Sequence, residues 1–251
     1  MNVFLVGDGP LALELVALVE EAGHTVTACL VDSAADDPFA PFFRTLEELG
    51  EIDLALEAAV AEPNLRVSVV LNLDERFGPD LTILTNALNG SVTGIAGHCN
   101  HPARVVGYTA LPPLAGSTVV ELLPALQSGE AAKEEARAFW QSLGREPVEV
   151  ADSVGGVVPR IVCNLINEAA YALMEGVATP EDIDLAMRLG TNWPRGPLAW
   201  ADLIGLDQVV AILEALGDEF GPDQYRPAPL LRQLARARRR FYPDSSRELA
   251  S

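Results

Sequence analysis

Lysine is all but missing from this sequence: Lys133 is the single one among 251 residues, and the other basic side chains are arginines. That bias speaks to genome composition or growth temperature and carries no chemistry of its own. Cysteine is scarce too. Cys29, Cys99 and Cys163 lie far apart, without the close paired spacing of a zinc site, and their odd number argues against a disulfide framework, so a reducing compartment and no bound metal are expected. Positive charge is in short supply. A formal net charge of −19 and a pI near 4.4 set a field that repels phosphate backbones and anionic membrane surfaces, which excludes nucleic acid as a partner. No apolar run approaches the ~20 residues of a membrane span, and the opening MNVFLVGDGP lacks the basic flank and apolar length of a signal peptide. The expectation is a soluble cytoplasmic protein without membrane contact.

With 49% hydrophobic and 21% charged residues, the chain can bury one large core or two modest ones, and it shows no internal repeat or low-complexity segment. Residues 2–6 form a short apolar run that stops at GDGPLA, and LALELVALVEEAG then places apolar residues at helical spacing up to Gly23. TVTACLVD reads as a second strand ending at Asp32. IDLALEAAV reads as a third, buried on both faces because its apolar residues do not alternate. VSVVLNL, LTILTNAL, RVVGYTAL and TVVELLPA are read as further strands. Strands mixed with helices imply a doubly wound parallel sheet of Rossmann-like α/β type. From Pro159 to Arg240 the pattern turns helical, with Thr179-Pro180-Glu181-Asp182 as a capped helix start. The expected division is a dinucleotide-binding domain over 1–152 and an all-α domain over 153–251. VEVADSVGGVVPR joins them around the Gly155-Gly156 turn, and the polar tail YPDSSRELAS is expected to fray.

The turn after the first strand carries the first functional signal. Gly7 permits the bend, Gly9 lets backbone approach a pyrophosphate, and Ala12 is small enough for helix and strand to pack. Pro10 and Leu11 complete the turn, and Pro10 is unusual there. Asp32, twenty residues beyond Ala12, is placed to accept hydrogen bonds from a ribose 2′-hydroxyl and to repel a 2′-phosphate, which favours NAD over NADP.

In the second half, Asn167-Glu168-Ala169, Asp182-Ile183-Asp184 and the turn from Gly190 through Pro197 resemble the C-terminal domain of the 3-hydroxyacyl-CoA dehydrogenase family. The likeness extends to DLALEAAVAEPNLR, TNALNGSVTGIA and RVVGYTALPPLAGSTVVELL. It implies an NAD-dependent oxidoreductase of fatty acid metabolism acting on a 3-hydroxyacyl-CoA or related β-hydroxy acid, and a homodimer formed through the helical half. Between Asp32 and Ile52 the family's long helical hairpin, which helps hold the CoA ester, is replaced by a short segment.

The family's chemical groups map unevenly. Glu121 falls on its orienting glutamate, but its histidine base falls on Thr109, its serine on Leu88 and its asparagine on Pro159. Threonine does not titrate near neutrality, so a substitute base would have to be Tyr108, His98 or His101. Glu121 has a second reading, as a carboxylate that faces water or caps a helix. A catalytically silent homologue, serving as a dinucleotide-binding or scaffold module, is therefore the alternative to an enzyme. A reductase class using a lysine base in the helical half is disfavoured, because Lys133 precedes that half. Trp193 and Trp200 serve a core or an interface, and Arg232, Arg236, Arg238, Arg239 and Arg240 complement a helix end or contact a phosphate.

Overall fold

The structure, a computed structural model, describes residues 1–32, 37, 39–61 and 63–243. Residues 244–251, on which most of the expected frayed tail falls, lie outside the described residues. The chain divides into two compact units, Met1–Pro159 and Arg160–Ser251.

The first unit alternates strand and helix. In chain order it contains β1 (Asn2–Asp8), α1 (Gly9–Glu21), β2 (Thr25–Val31), α2 (Ala40–Glu48), β3 (Leu54–Ala58), α3 (Pro63–Phe77), β4 (Thr82–Asn86), α4 (Val92–Ala96), β5 (Val105–Thr109), β6 (Val119–Pro124), α5 (Glu130–Ser142) and β7 (Glu146–Glu149). The strands form one sheet in the order β2-β1-β3-β4-β5-β6-β7. This is the Rossmann-like arrangement expected, with one difference: β6 runs antiparallel to β5, so the sheet is mostly rather than wholly parallel. β3, β4 and β5 are buried along their whole length, as strands covered on both faces must be.

One expected strand is a helix. VSVVLNL lies inside α3, where Leu65, Val69, Val70 and Leu73 are buried while Val67 faces out. Those spacings of four, one and three residues repeat with a helical period, and the short apolar run concealed the polar residues on either side that complete it. The joining segment is also more ordered than a linker, since its first residues belong to β7 and Gly155 and Gly156 turn with φ of +74° and +55°.

The second unit comprises α6 (Val158–Met174, whose first two residues belong to the first unit), α7 (Pro180–Thr191), α8 (Pro197–Ile204), α9 (Leu206–Phe220), α10 (Pro222–Tyr225) and α11 (Pro229–Arg236). Thr179 caps α7 by accepting the Asp182 N–H, as its sequence suggests. Asp184 has a larger role. Its carboxylate accepts the N–H groups of Leu198 and Ala199 at 2.8 Å each, capping α8, and also accepts the Tyr242 hydroxyl at 3.0 Å. Gly196 is required beside it, because a Cβ there would stand 2.1 Å from the Asp184 carboxyl carbon. Asn167 fixes the approach to α11 by donating to Arg226 O and accepting from Ala228 N. Trp193 and Trp200 meet edge to face at 5.7 Å.

Replacing Asp184 by Ala would leave the buried Leu198 N–H without its acceptor and remove a helix cap, at a cost of about 2–4 kcal/mol. Thermal unfolding followed by circular dichroism is expected to show a Tm lower by ~5 °C or more, and an unchanged Tm would contradict this account.

Candidate active site

The carboxyl-terminal ends of the strands gather the polar residues. β1 has β2 on one side and β3 on the other, so the direction of strand addition reverses between β1 and β3, where open α/β sheets form a ligand crevice. The glycine turn lies on that crevice. Gly9 has φ +64°, and a Cβ on Gly7 would stand 2.7 Å from Ala58 O and 2.8 Å from the Ala12 Cβ, so both positions require glycine. Pro10 occupies the first turn of α1, Leu11 is buried beneath it, and Asp32 is exposed immediately after β2, at the same edge. Asp8, the N-cap of α1, makes no side-chain capping hydrogen bond; its carboxylate reaches to Val60 N at 2.8 Å and Ala61 N at 3.1 Å.

Further along the same edge, antiparallel pairing sets Thr109 directly opposite Glu121. The Thr109 hydroxyl donates to Glu121 Oε2 at 2.7 Å. Glu121 also accepts the N–H of Val157 at 2.9 Å and of Val158 at 2.8 Å, so it caps the start of α6 while holding Thr109. Gly156 leaves room for this, since a Cβ there would lie 2.2 Å from Glu121 Oε2. Leu88 is buried just after β4 with its N–H donating to Asn86 Oδ1, and Pro159 is buried in the first turn of α6.

None of the three substitute bases is brought to this place. Tyr108 is fully buried, packs on Trp140 and donates its hydroxyl to Glu57 O at 2.8 Å. Burial and the neighbouring Glu57 charge push its phenol well above the ordinary range, outweighing Arg66. His98 and His101 precede β5 and Thr109 ends it, which separates them by roughly the 13 Å length of a five-residue strand. His101 instead sits 3.4 Å from Asp74, which also binds Arg104 and the N–H groups of Asn100 and His101. Lys133 pairs with Glu130 on α5. Among the described residues no group of His, Cys, Asp and Glu could hold a metal ion.

The sequence reading missed Glu57. It stands in β3 with no exposure and accepts the N–H of Ala59 at 2.5 Å, the Thr85 hydroxyl at 2.6 Å, and the N–H and side-chain amide of Asn86 at 3.1 and 2.9 Å. Arg66 lies 3.8 Å away and donates to Thr85 at 3.1 Å. Burial pushes the Glu57 carboxyl up to about 7, against the pull of Arg66 and these donors. The available signal was a lone carboxylate in a strand read as buried on both faces, which demands partners.

The sequence profile of the 3-hydroxyacyl-CoA dehydrogenase NAD binding domain matches residues 40–153, and that of the C-terminal domain matches residues 155–241. The chain belongs to the 3-hydroxyacyl-CoA dehydrogenase family. A 3-hydroxybutyryl-CoA dehydrogenase of Clostridioides difficile is 39% identical over 191 residues, 76% of this chain and 68% of that protein. The crystal structure of (S)-3-hydroxybutyryl-CoA dehydrogenase PaaH1 from Ralstonia eutropha superposes with a TM-score of 0.73 at 31% identity, covering 96% of this chain and 98% of the other. That of Mycobacterium tuberculosis FadB2 gives 0.78 at 26%, with the same coverage.

NAD is the cofactor of the family's N-terminal domain and of this chain. The residues present fit it in outline: Gly7, with no room for a Cβ beside Ala58 O and the Ala12 Cβ, lets β1, β3 and α1 pack closely, Gly9 turns the backbone at the helix start, and Asp32 stands at the end of β2. The profile match begins after this turn, at residue 40, and Asp8 and Pro10 are where the turn is least ordinary as an anion cradle.

The buried Glu57 gives a pH signature. The folded state keeps its proton up to about pH 7 while the unfolded chain releases it near 4.5. Its contribution to stability is complete below pH 4.5 and lost as pH rises through 7, a change on the order of 3 kcal/mol. Chemical denaturation of wild type and Glu57→Gln between pH 4.5 and 8 is expected to show the wild type's advantage shrinking as pH rises. A difference that is flat or grows would contradict the raised value.

Proposed function

We propose that this chain is an NAD-dependent dehydrogenase interconverting the 3-hydroxyl and 3-oxo groups of a short 3-hydroxyacyl-CoA, with 3-hydroxybutyryl-CoA as the first substrate to test. The activity named for its relatives supports this reading, and the observation that carries the chemistry is the Thr109–Glu121 pair at the end of β5. Gly7, Gly9, Pro10 and Leu11 would cradle the dinucleotide, and Asp32 would accept from the adenine-side ribose. Bound NAD supplies the hydride acceptor. Glu121 is the base, reached through Thr109: the Thr109 oxygen takes the proton of the substrate hydroxyl as its own proton passes to Glu121 Oε2. The two backbone N–H groups of Val157 and Val158 hold the Glu121 carboxylate in place beside Thr109. Leu88 and Pro159 offer the reacting oxygen no side-chain hydrogen bond, so turnover is slow.

NADH formation from 3-hydroxybutyryl-CoA tests this assignment. Wild type is expected to turn over slowly, Glu121→Gln to lose what rate there is, and Thr109→His to gain on the order of 10²-fold, the lower end of what a positioned base contributes. Glu121→Gln retaining the wild-type rate would remove Glu121 from the mechanism. No turnover in either wild type or Thr109→His, with NADH still bound, would leave a silent dinucleotide-binding homologue.

An acyl-CoA substrate supports a role in fatty acid metabolism, and the free thiols Cys29, Cys99 and Cys163 support a reducing cytoplasm. The division into a dinucleotide-binding domain over 1–152 and a helical domain over 153–251 is retained as the functional one. The helical half is assigned the homodimer contact, since Leu185 and Leu189 on α7 and Val177 before it are 49%, 77% and 70% exposed. Sedimentation at micromolar concentration is expected to show a dimer that Leu189→Asp weakens at least tenfold. A monomeric wild type would overturn the assignment.

A further inference from the structure

We propose that Asp8 is an internal anion that competes with the cofactor's pyrophosphate and so sets this chain's affinity for dinucleotides. The proposal rests on the NAD reading above and adds to it a residue that controls binding.

Asp8 ends β1 and is 2% exposed. As the N-cap of α1 it stands where a helix presents unpaired N–H groups and the positive end of its dipole, the place a Rossmann-like turn uses for pyrophosphate. Its carboxylate does not cap that helix. It crosses to the segment after β3, with Oδ1 2.8 Å from Val60 N and 3.3 Å from Ala61 N, and Oδ2 3.1 Å from Ala61 N. β1 and β3 are the strands on either side of the reversal, so these bonds span the crevice a dinucleotide must enter. Val60 is itself buried, so its N–H would have to find another acceptor if Asp8 moved away.

Two features therefore work against an incoming anion. A carboxylate already lies in the crevice beside the start of α1, held on Val60 and Ala61, and Pro10 in the first turn of α1 carries no N–H to offer. A pyrophosphate must either displace the carboxylate from Val60 and Ala61 or accept a like charge beside it at a nearly dry site, and both weaken binding. Adenosine has no phosphate and meets neither obstacle. Asp8 thus separates ligands by charge at one point, independent of whether the nicotinamide end reacts.

Calorimetry with NADH, ADP-ribose and adenosine, on wild type, Asp8→Asn and Asp8→Ser, tests this without relying on activity. Both variants are expected to bind NADH and ADP-ribose at least tenfold more tightly than wild type and to leave adenosine within twofold. A variant that binds all three ligands equally better or worse would show a structural effect only and overturn the proposal. Wild type binding NADH as tightly as the variants would overturn it while leaving the cofactor reading intact, whereas no binding of NADH or ADP-ribose by any form would overturn both. Should the variants fail to fold, amide resonances of the wild type decide: those of Val60 and Ala61 are expected to shift on adding ADP-ribose and not on adding adenosine. Unmoved resonances at saturation would overturn the proposal.

Discussion

A carboxylate without exposure stands in β3, in the interior of the sheet, and the carboxyl-terminal ends of the neighbouring strands are built around it. Glu57 holds the N–H of Ala59 at the end of β3, the side chains of Thr85 and Asn86 at the end of β4, and through its own carbonyl the hydroxyl of Tyr108 on β5. Three neighbouring strands are tied at one level. The segment after β3 is thereby fixed, and Asp8 reaches across to it from β1; the segment after β4 is fixed, and Leu88 and Asn89 follow from it, the latter donating to Ala59 O and Val60 O. A buried carboxyl group costs desolvation unless its oxygens are met, and here four donors meet them with Arg66 nearby.

The same device recurs across the chain. Asp152 accepts the N–H groups of Val92 and Thr93 and the Ser91 hydroxyl at the start of α4. Glu121 takes the first N–H groups of α6, Asp184 those of α8, and Asp202 those of Phe241 and Tyr242. Each carboxylate satisfies orphaned backbone donors with charge-assisted bonds, and several do so at a helix start where the dipole favours an anion. Part of the acidic excess of the sequence is thus structural. The N–H groups of Val157 and Val158 need the Glu121 acceptor whatever occupies position 109.

The sequence by itself determined the strand–turn–helix opening, because Gly7, Gly9 and Ala12 meet a local steric demand that only small residues satisfy. It likewise determined the helical second half, whose periodicity, Thr179 cap and glycine-proline breaks act within a few residues of one another, and the family, whose motifs are local strings. Tertiary structure decided the rest, since the forces involved join distant positions. α3 became a helix because its buried face needed the sheet to pack against, which seven apolar-rich letters do not reveal. β6 turned antiparallel through pairing that sequence order leaves open. The fate of Tyr108, His98 and His101 depended on which end of β5 each occupies and on what lies behind it. Glu57, Asp8 and Asp184 look like ordinary acids in the sequence. Their roles arise when residues 14 to 58 positions away supply donors, because a hydrogen bond is set by distance in space and not along the chain.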